Sequence, residues 1–344
     1  MTAAGKNRDK LSEFRKYISR RVSLTDALDE FISGDLSQKI EGTGLMGRTV
    51  PVNEAEVLRN AMSQNRQRYT QTSLKLPEHL PESLILELTT RCNYACPYCY
   101  CLWHEYPHLG RYVLRTDQWK RVIRYAVERH VADFQFSGGE ALLHPGAAEL
   151  LRFTRELLPE GRLSLFTNGS RMTDDLLLQC KRQRIALSTS LQGLRTYGAM
   201  TGTRRKYYRT LKLLYRAAEL QWPFSVGMTV TRTNKPELPD MIAAAAVSGA
   251  SCLQIGAVMP EGRARNRLDL TLSREEWTEL KAEIRKQDYG IPYTFCDEMI
   301  CECRDQPPEY LARFGDPNIT PCQAGKVFGV IGPDGSFRKC LHCI

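Results

Sequence analysis

The middle of this chain repeats one pattern, a short apolar run followed by a helical stretch, six times. The apolar runs fall at residues 84–88, 131–136, 163–166, 185–191, 224–230 and 252–255. Between them, apolar residues recur at helical spacing on single faces, as at Trp119, Val122 and Ile123. Repeated strand–helix units predict a parallel sheet with its helices packed outside. The repeats span about 180 residues, whereas an eight-unit barrel takes roughly 250. We therefore predict an α/β fold built as a partial, open (β/α)6 barrel.

Two further segments flank the predicted barrel, which we place at residues 81–290. Residues 1–80 are largely polar with apolar residues at helical spacing, so we predict a helical N-terminal extension. Near the end of the barrel, Ser273 and Glu276 have the spacing of a capping box that begins a helix. Residues 291–344 are rich in turn residues and carry cysteines, and they predict a small C-terminal domain.

The chain carries a net charge of +9 over 344 residues, and nucleic-acid binding is one interpretation of that charge. Its basic residues are dispersed over predicted helix faces without interleaved aromatic residues, so a solvated basic surface that favours acidic partners is the better interpretation. The first residues lack the apolar core of a secretory signal, and the longest apolar stretch, 241–253, is too short to span a bilayer. We expect a cytoplasmic protein without a membrane or nucleic-acid partner.

Twelve cysteines are many for a protein of a reducing compartment, where clustered cysteines indicate metal ligands or catalytic groups. Cys92, Cys96 and Cys99 form a C-x₃-C-x₂-C loop directly after the first predicted strand, at the edge of the sheet where active sites form. Three thiolates can hold three irons of a four-iron cluster and leave the fourth iron open. Zinc, with Cys101 or His104 as a fourth ligand, is the alternative, although zinc sites usually pair two separate C-x₂-C turns.

A C-x₃-C-x₂-C loop after a strand, with the aromatic Tyr98 before its last cysteine, resembles the signature of the radical S-adenosylmethionine (radical SAM) enzymes. The resemblance implies a [4Fe–4S] cluster whose open iron chelates the amino and carboxylate groups of S-adenosylmethionine. It implies reductive cleavage of that cofactor to a 5′-deoxyadenosyl radical, which abstracts a substrate hydrogen atom. An external electron donor of the flavodoxin or ferredoxin type is implied as well.

The loops after the next strands agree with the same resemblance. Ser137 is followed by Gly-Gly-Glu, which by resemblance holds the methionyl amino group, because a carboxylate can pair with an ammonium ion. The loop after the third strand and the serines of the fourth would contact the ribose and carboxylate, or else form an ordinary Asn-Gly turn and strand. Gln192 stands where related peptide-modifying enzymes usually have Asp, so we expect no acid or base there. The cofactor-binding candidates are Tyr98, Gly138, Gly139, Glu140, Thr167, Asn168, Ser188 and Ser190.

The C-terminal cysteines form the second cluster of metal-ligand candidates. Two of them flank a predicted hairpin whose turn is at residues 332–335, and this arrangement resembles the opening of the SPASM domain, an auxiliary iron–sulfur module. The later cysteines of a full SPASM domain are absent from the given sequence, so the tail resembles either the shortened, twitch-like form or a truncated SPASM domain. Zinc would use the same ligand types. The predicted auxiliary ligands are Cys322, Cys340, Cys343 and Cys303, with Cys296 or Cys301 as alternatives to Cys303.

Taken together, these motifs predict a radical SAM enzyme, and the resemblance is greatest to peptide maturases that carry auxiliary clusters. We therefore expect modification of a ribosomally made peptide, such as a cross-link or an epimerised centre. One alternative is a dehydrogenase or epimerase of a small molecule such as an aminosugar. Another is a zinc-stabilised RNA-binding protein without enzymatic activity. No residue is predicted as the substrate acid, base or hydrogen-atom acceptor.

Overall fold

A computed structural model describes residues 76–110, 112–204, 207–296 and 324–342. Most of the predicted N-terminal extension therefore lies outside the described residues. The described residues form a single nine-stranded sheet with the order β7-β6-β5-β4-β3-β2-β1-β8-β9. The strands are β1 (Ser83–Glu87), β2 (Asp133–Ser137), β3 (Arg162–Phe166), β4 (Ile185–Ser190), β5 (Phe224–Val230), β6 (Cys252–Ala257), β7 (Tyr293–Cys296), β8 (Phe328–Ile331) and β9 (Phe337–Arg338).

The strands from β1 to β7 are parallel to their neighbours, and β1 also pairs in parallel with β8. Helices connect most of these strands, as repeated strand–helix units require. The predicted α/β fold is confirmed, with all six predicted strands present. The helices are α1 (Thr116–Val127), α2 (Ala147–Leu157), α3 (Asp174–Arg182), α4 (Tyr197–Thr201), α5 (Tyr208–Glu219), α6 (Leu238–Val247) and α7 (Arg274–Arg285).

The two faces of the sheet differ sharply in composition. One face carries large apolar side chains, such as Phe134, Phe136 and Phe224, which are fully buried. The indole of Trp119 on α1 donates a hydrogen bond to the carbonyl of Leu88, so α1 packs directly against the end of β1. This is the helix-covered face of the barrel, and burial of its apolar residues is the main stabilising contribution to the fold.

The opposite, inner face carries small and polar side chains. An open cavity of about 620 Å³ lies on this face, and Gln254 of β6 lines it together with residues of β2, β3 and β4. It extends to the starts of β2 and β3, where Arg155 of α2 and the turn residue Glu160 also line it. Strands that are this far apart in a flat sheet cannot line one cavity, so the sheet is curled. Gln254, Ala186 and Phe166 are all exposed there. We call this space the inner cavity, and in the described part of the chain it is open to solvent.

Three strands extend the sheet beyond the six that the sequence predicts. The predicted C-terminal hairpin is present, since β8 and β9 are antiparallel, and β8 lies beside β1. A buried ion pair joins the carboxylate of Glu87 on β1 to the guanidinium of Arg338 on β9. The hairpin thus continues the barrel sheet. β7 escapes prediction because it has only four residues of alternating exposure.

The helix start that the sequence predicts at Ser273 is present. The hydroxyl of Ser273 accepts a hydrogen bond from the Glu276 amide at 3.2 Å, and the Glu276 carboxylate accepts one from the Ser273 amide at 2.6 Å. This reciprocal pair confirms the capping box at the start of α7. Among the described residues, no helix combines the length and the apolar character that a membrane crossing needs.

Candidate functional site

The three predicted cluster ligands lie on one loop, residues 88–101, which follows β1 and which we call the cysteine loop. Cys92 is exposed, while Cys96 and Cys99 are partly buried, and all three are free thiols. In a parallel sheet the loops that follow the strands meet at one edge. The structure therefore brings the loops after β2, β3, β4 and β6 to the cysteine loop.

Backbone hydrogen bonds hold the cysteine loop from several sides. The Glu140 amide, after β2, donates to the carbonyl of Arg91 at 2.8 Å, and the Ala95 amide donates to the carbonyl of Thr201, on α4, at 2.8 Å. From the loop after β6, the Arg263 amide donates to the carbonyl of Cys99 at 2.8 Å. β6 and β1 are separated by four strands in the sheet order, so this last contact exists only because the sheet curls.

The side chain of Glu140 connects the loops after β2 and β3 by hydrogen bonds. Its side chain is only 1% exposed. One carboxylate oxygen accepts hydrogen bonds from the Thr167 hydroxyl at 2.6 Å and the Leu142 amide at 3.1 Å, and the other accepts from the Asn168 amide at 2.6 Å. Burial raises the pKa of Glu140, and these three donors act against that rise. Glu140, Thr167 and Asn168, which the sequence predicts to bind a cofactor, therefore contact one another.

Asn168 links the loop after β3 to the cysteine loop. Its amide nitrogen donates to the side-chain oxygen of Asn93 at 2.9 Å and lies 3.9 Å from the sulfur of Cys92. The amide of Asn93 in turn donates to the hydroxyl of Ser170 at 2.8 Å. The Tyr94 amide also donates to the sulfur of Cys92, at 3.4 Å. Outer-shell hydrogen bonds of this kind orient metal ligands, so the Tyr94 amide and Asn168, which Asn93 holds in place, orient the Cys92 side chain.

The two glycines before Glu140 are required by close backbone packing. A methyl group on Gly138, whose φ is +134°, would stand 2.6 Å from the carbonyl oxygen of Thr89. A methyl group on Gly139 would stand 2.5 Å from the carbonyl oxygen of Arg91. Both distances are shorter than real contacts. The two glycines thus let the loop after β2 lie directly against the cysteine loop. This packing role is separate from the ligand contact that the sequence predicts for them.

The three thiols have different environments. Burial raises the pKa of Cys96 to about 12, with a hydrogen bond from Tyr98 acting in the opposite direction, and burial also raises the pKa of Cys92. Hydrogen bonds from Cys101 and then His104 lower the pKa of Cys99 to about 4, against the effect of burial. Of the three thiols, Cys99 therefore loses its proton most easily. A metal would deprotonate the other two on binding.

The donor set of the cysteine loop consists of three thiols. An iron–sulfur cluster binds each cysteine thiolate through a different iron, so three thiolates fit a four-iron cluster with one open iron. Among the described residues, no group of three His, Cys, Asp or Glu side chains is placed to hold a single metal ion.

The remaining cofactor candidates lie on or near the inner face. Ser188 and Ser190 of β4 stand two residues apart and so share that face, with Ser188 paired in register with Phe166 at the rim of the inner cavity. The side chain of Gln192 is buried, and its oxygen accepts a hydrogen bond from the Thr229 amide at 2.7 Å. Gln192 thus secures the end of β5, which agrees with the expectation that it is neither acid nor base.

The predicted auxiliary site is described only in part. Cys340 is buried directly after β9 and packs against Ala324 and Phe328. Cys296 is exposed at the end of β7. The other candidate ligands, Cys301, Cys303, Cys322 and Cys343, lie outside the described residues. The auxiliary cluster and its ligands therefore stay a prediction.

The sequence reasoning missed the loop after β6 as a support of the cysteine loop. Gly262 has φ of +57°, and a methyl group there would stand 2.6 Å from the carbonyl oxygen of Cys99 and 2.7 Å from that of Cys101. The neighbouring Arg263 also donates through its guanidinium to the carbonyl of Cys96 at 3.4 Å. The Glu-Gly-Arg sequence at 261–263 was the available signal, but nothing local says which loop it touches.

We expect Gly262→Ala to lower the iron content after anaerobic reconstitution by roughly tenfold, because the new methyl group displaces the backbone of two residues at the cluster ligands. Gly290→Ala is the matched control. Gly290 has a similar φ of +64°, but nothing lies within 4 Å of its added methyl group. Both variants incur the left-handed strain of roughly 1–2 kcal/mol. Equal iron content in the two variants would contradict the role of Gly262.

Comparison with known proteins begins with a family model. A model described as the radical SAM superfamily matches residues 86–245. The sporulation killing factor maturation protein SkfB of Bacillus subtilis is 27% identical over 258 residues, which cover 72% of this chain and 62% of SkfB. The chain thus spans less than two thirds of SkfB. The PqqA peptide cyclase of Rhodopseudomonas palustris is 30% identical over 282 residues, covering 76% of this chain and 67% of the cyclase.

Among solved structures, the fold is similar to SuiB of Streptococcus suis, determined in complex with the precursor peptide SuiA. The TM-score is 0.60 at 15% sequence identity, and the match covers 94% of this chain and 73% of SuiB. At that identity the likeness concerns the fold. It agrees with the open, curled parallel sheet described above.

Proposed function

The chain belongs to the radical SAM superfamily, and from that premise we propose that it cleaves S-adenosylmethionine reductively and modifies a ribosomally made peptide. The observation that carries the proposal is the position of Cys92, Cys96 and Cys99, at the edge of a curled sheet whose inner face is open. The inner cavity extends from the starts of β2 and β3 to Phe166, the last residue of β3. A radical generated at the cysteine loop would therefore meet a substrate that extends along the inner face past Phe166. The match covers only 62% of SkfB. The activity is therefore proposed from the residues of this chain and is not transferred from SkfB.

The cysteine loop would hold a [4Fe–4S] cluster through Cys92, Cys96 and Cys99. When bound, that cluster supplies the electron that splits S-adenosylmethionine into methionine and a 5′-deoxyadenosyl radical. The chain itself favours the thiolate only at Cys99, where hydrogen bonds from Cys101 and His104 lower the pKa. Burial raises the pKa of Cys92 and Cys96, so the bound metal would deprotonate those two sulfurs.

Glu140 would orient the methionyl end of the cofactor. A carboxylate offers about four acceptor positions, and the contacts described above use three of them, from Thr167, Asn168 and Leu142. One position is left for an ammonium group. Because the three internal donors fix the carboxylate, the ammonium group would be bound at little cost in side-chain entropy. Ser188 and Ser190 would offer hydroxyl groups to the rest of the cofactor from the inner face.

A peptide substrate is supported by the relatives and by the inner cavity. SkfB is named as a maturation protein, the cyclase as acting on the peptide PqqA, and SuiB was solved with a precursor peptide. The inner cavity is open. Its lining combines small and polar groups such as Ser164, Ala186 and Gln254 with charged side chains of both signs, which are Asp133, Arg155, Glu160, Arg162 and Arg184. Such a surface can accept an extended chain without requiring one rigid small-molecule shape. We therefore favour a peptide over a small molecule such as an aminosugar.

The proposal includes an auxiliary cluster in the C-terminal segment and an external one-electron donor of the flavodoxin or ferredoxin type. We also propose that the protein acts in the cytoplasm. Cys92, Cys96, Cys99 and Cys101 of the cysteine loop are free thiols, which is the state expected in a reducing compartment. Nucleic acid is not part of the proposal, because the basic residues are dispersed along the sequence without the interleaved aromatic residues that single-strand binders use.

The function is tested with the anaerobically reconstituted enzyme, S-adenosylmethionine and dithionite. The probes are peptides encoded near the gene in its genome, prepared with deuterated residues. We expect deuterium in the 5′-deoxyadenosine that forms and a peptide mass changed by the modification. Formation of 5′-deoxyadenosine that takes label only from deuterated aminosugars would favour the small-molecule alternative. If the purified protein holds zinc, and binds neither iron nor sulfide after reconstitution, the proposal that it is a radical SAM enzyme is overturned.

A further inference from the structure

An open groove lies on the outer side of the cysteine loop, away from the inner cavity. Its volume is about 690 Å³, and it is bounded by the starts of α1 and α2. Part of its lining is apolar, from Val113, Leu143 and Pro145. The same groove is also lined by the cationic side chains Arg91, Arg115 and Lys120. We call it the basic groove.

The cationic character continues along the exposed face of α1, next to the groove. Arg121 and Arg124 follow Lys120 on this face, and both are exposed. Three carboxylates lie among them. Asp117 contacts Arg115 at 3.1 Å and Arg121 at 3.6 Å, Glu149 pairs with Lys120, and Glu128 is exposed one turn beyond Arg124. The five cations Arg91, Arg115, Lys120, Arg121 and Arg124 therefore exceed the three carboxylates by two charges.

The basic groove is adjacent to the cluster ligands in the chain. Thr89 and Arg91, which line it, belong to the cysteine loop, and Arg91 immediately precedes Cys92. A partner seated in the groove would stand one loop away from the cluster without entering the inner cavity. The two faces of the site would then have separate uses, the inner one for the substrate and the outer one for a partner that only needs to come close.

We propose that the basic groove is the docking surface of a small acidic electron-transfer protein. The inference rests on the proposed function, which requires one electron from outside the chain. In the encounter the partner is oxidised by one electron and the cluster is reduced by one, with no bond formed or broken. The apolar floor supplies a dry contact and the surrounding cations steer an acidic surface toward it. An acidic segment of the peptide substrate is the competing occupant.

The test uses the full chain with its cluster and a bacterial flavodoxin as the probe. The variant is Arg121→Glu/Arg124→Glu, on the exposed face of α1. The matched control is Arg182→Glu/Arg209→Glu, which reverses two exposed charges on other helices. Reduction by flavodoxin hydroquinone is followed by stopped-flow absorbance, and the affinity for oxidised flavodoxin is measured separately by calorimetry. At low salt we expect the variant to be reduced roughly tenfold more slowly than the control, and to bind more weakly.

Salt and dithionite make the test decisive. The difference should shrink at about 0.5 M salt, where exposed charges are screened, and 5′-deoxyadenosine formation with dithionite should be equal in variant and control. Equal rates and affinities with flavodoxin would overturn the proposal. So would a variant that also fails with dithionite, or one that loses only affinity for the labelled peptide. A wild-type enzyme that makes no 5′-deoxyadenosine with dithionite would instead contradict the proposed function itself.

Discussion

Replacing Cys96 by alanine is expected to abolish 5′-deoxyadenosine formation, with a loss well beyond the roughly 10–100-fold that outer-shell substitutions cost. Two thiolates would be left for a cluster that needs three, and the third iron would lose its protein ligand. The measurement is chromatographic quantification of 5′-deoxyadenosine after anaerobic reconstitution with dithionite. Iron and acid-labile sulfide should fall in parallel.

Cys252→Ala is the matched control for this substitution. Cys252 is also a free, partly buried thiol, but it stands at the start of β6, at the opposite end of the strand from the loops of the site. We expect its iron content and activity to be unchanged. Retention of activity in Cys96→Ala, or equal loss in both variants, would show that the cluster is held elsewhere in the chain.

The second large effect is expected for Arg338→Met, which removes the partner of a buried carboxylate. Glu87 and Arg338 are 2% and 5% exposed. Breaking a buried ion pair from one side costs about 3–5 kcal/mol, because the remaining charge has no compensation. We expect a loss of this size in the free energy of unfolding at pH 9, measured by chemical denaturation of the full chain.

The cost of this substitution should depend on pH. Burial raises the pKa of Glu87 from its ordinary 4.5 to about 7, although the positive charge of Arg338 lowers it. A raised carboxyl pKa gives stability that is complete below pH 4.5 and lost as the pH rises through the folded-state value. Without Arg338 that value rises further. The stability gap between wild type and variant should therefore widen above about pH 7.

The double variant Glu87→Gln/Arg338→Met tests this explanation. It has no buried group to titrate and no unpaired charge, so we expect it to recover much of the stability lost at pH 9. The difference in the free energy of unfolding between the double variant and Arg338→Met should close as the pH is lowered to 6. If Arg338→Met is equally destabilised at pH 6 and pH 9, the effect comes from packing of the Arg338 side chain, and the charge of Glu87 has no part in it.

Patterns that repeat over a few residues were sufficient to predict much of this fold. The apolar pattern of the sequence predicted Phe224–Val230 as a strand with its bounds correct, and the capping box predicted the start of α7. The position of Cys92, Cys96 and Cys99 at the sheet edge also followed, since it depends only on their place after a strand. These features depend on residues close together in the chain.

Features that depend on the curl of the sheet could not be predicted. The contact of Gly262 with the carbonyls of Cys99 and Cys101 joins residues more than 160 positions apart, and no local pattern encodes it. The same holds for the internal hydrogen bonds of Glu140, which the motif alone presents as a ligand of the cofactor. The sequence identifies the residue types of the site, and tertiary contacts determine which of them touch one another.

The pairing of β8 with β1 has a consequence for biosynthesis. β1 can pair with β2 once residue 137 has left the ribosome, but its other edge must wait for Phe328, about 190 residues later. At roughly 5–20 residues per second this delay is about 10–40 s. During that time the edge of β1 is available for wrong pairing. Faster translation, or a chaperone that shields nascent strand edges, should therefore raise the yield of native protein.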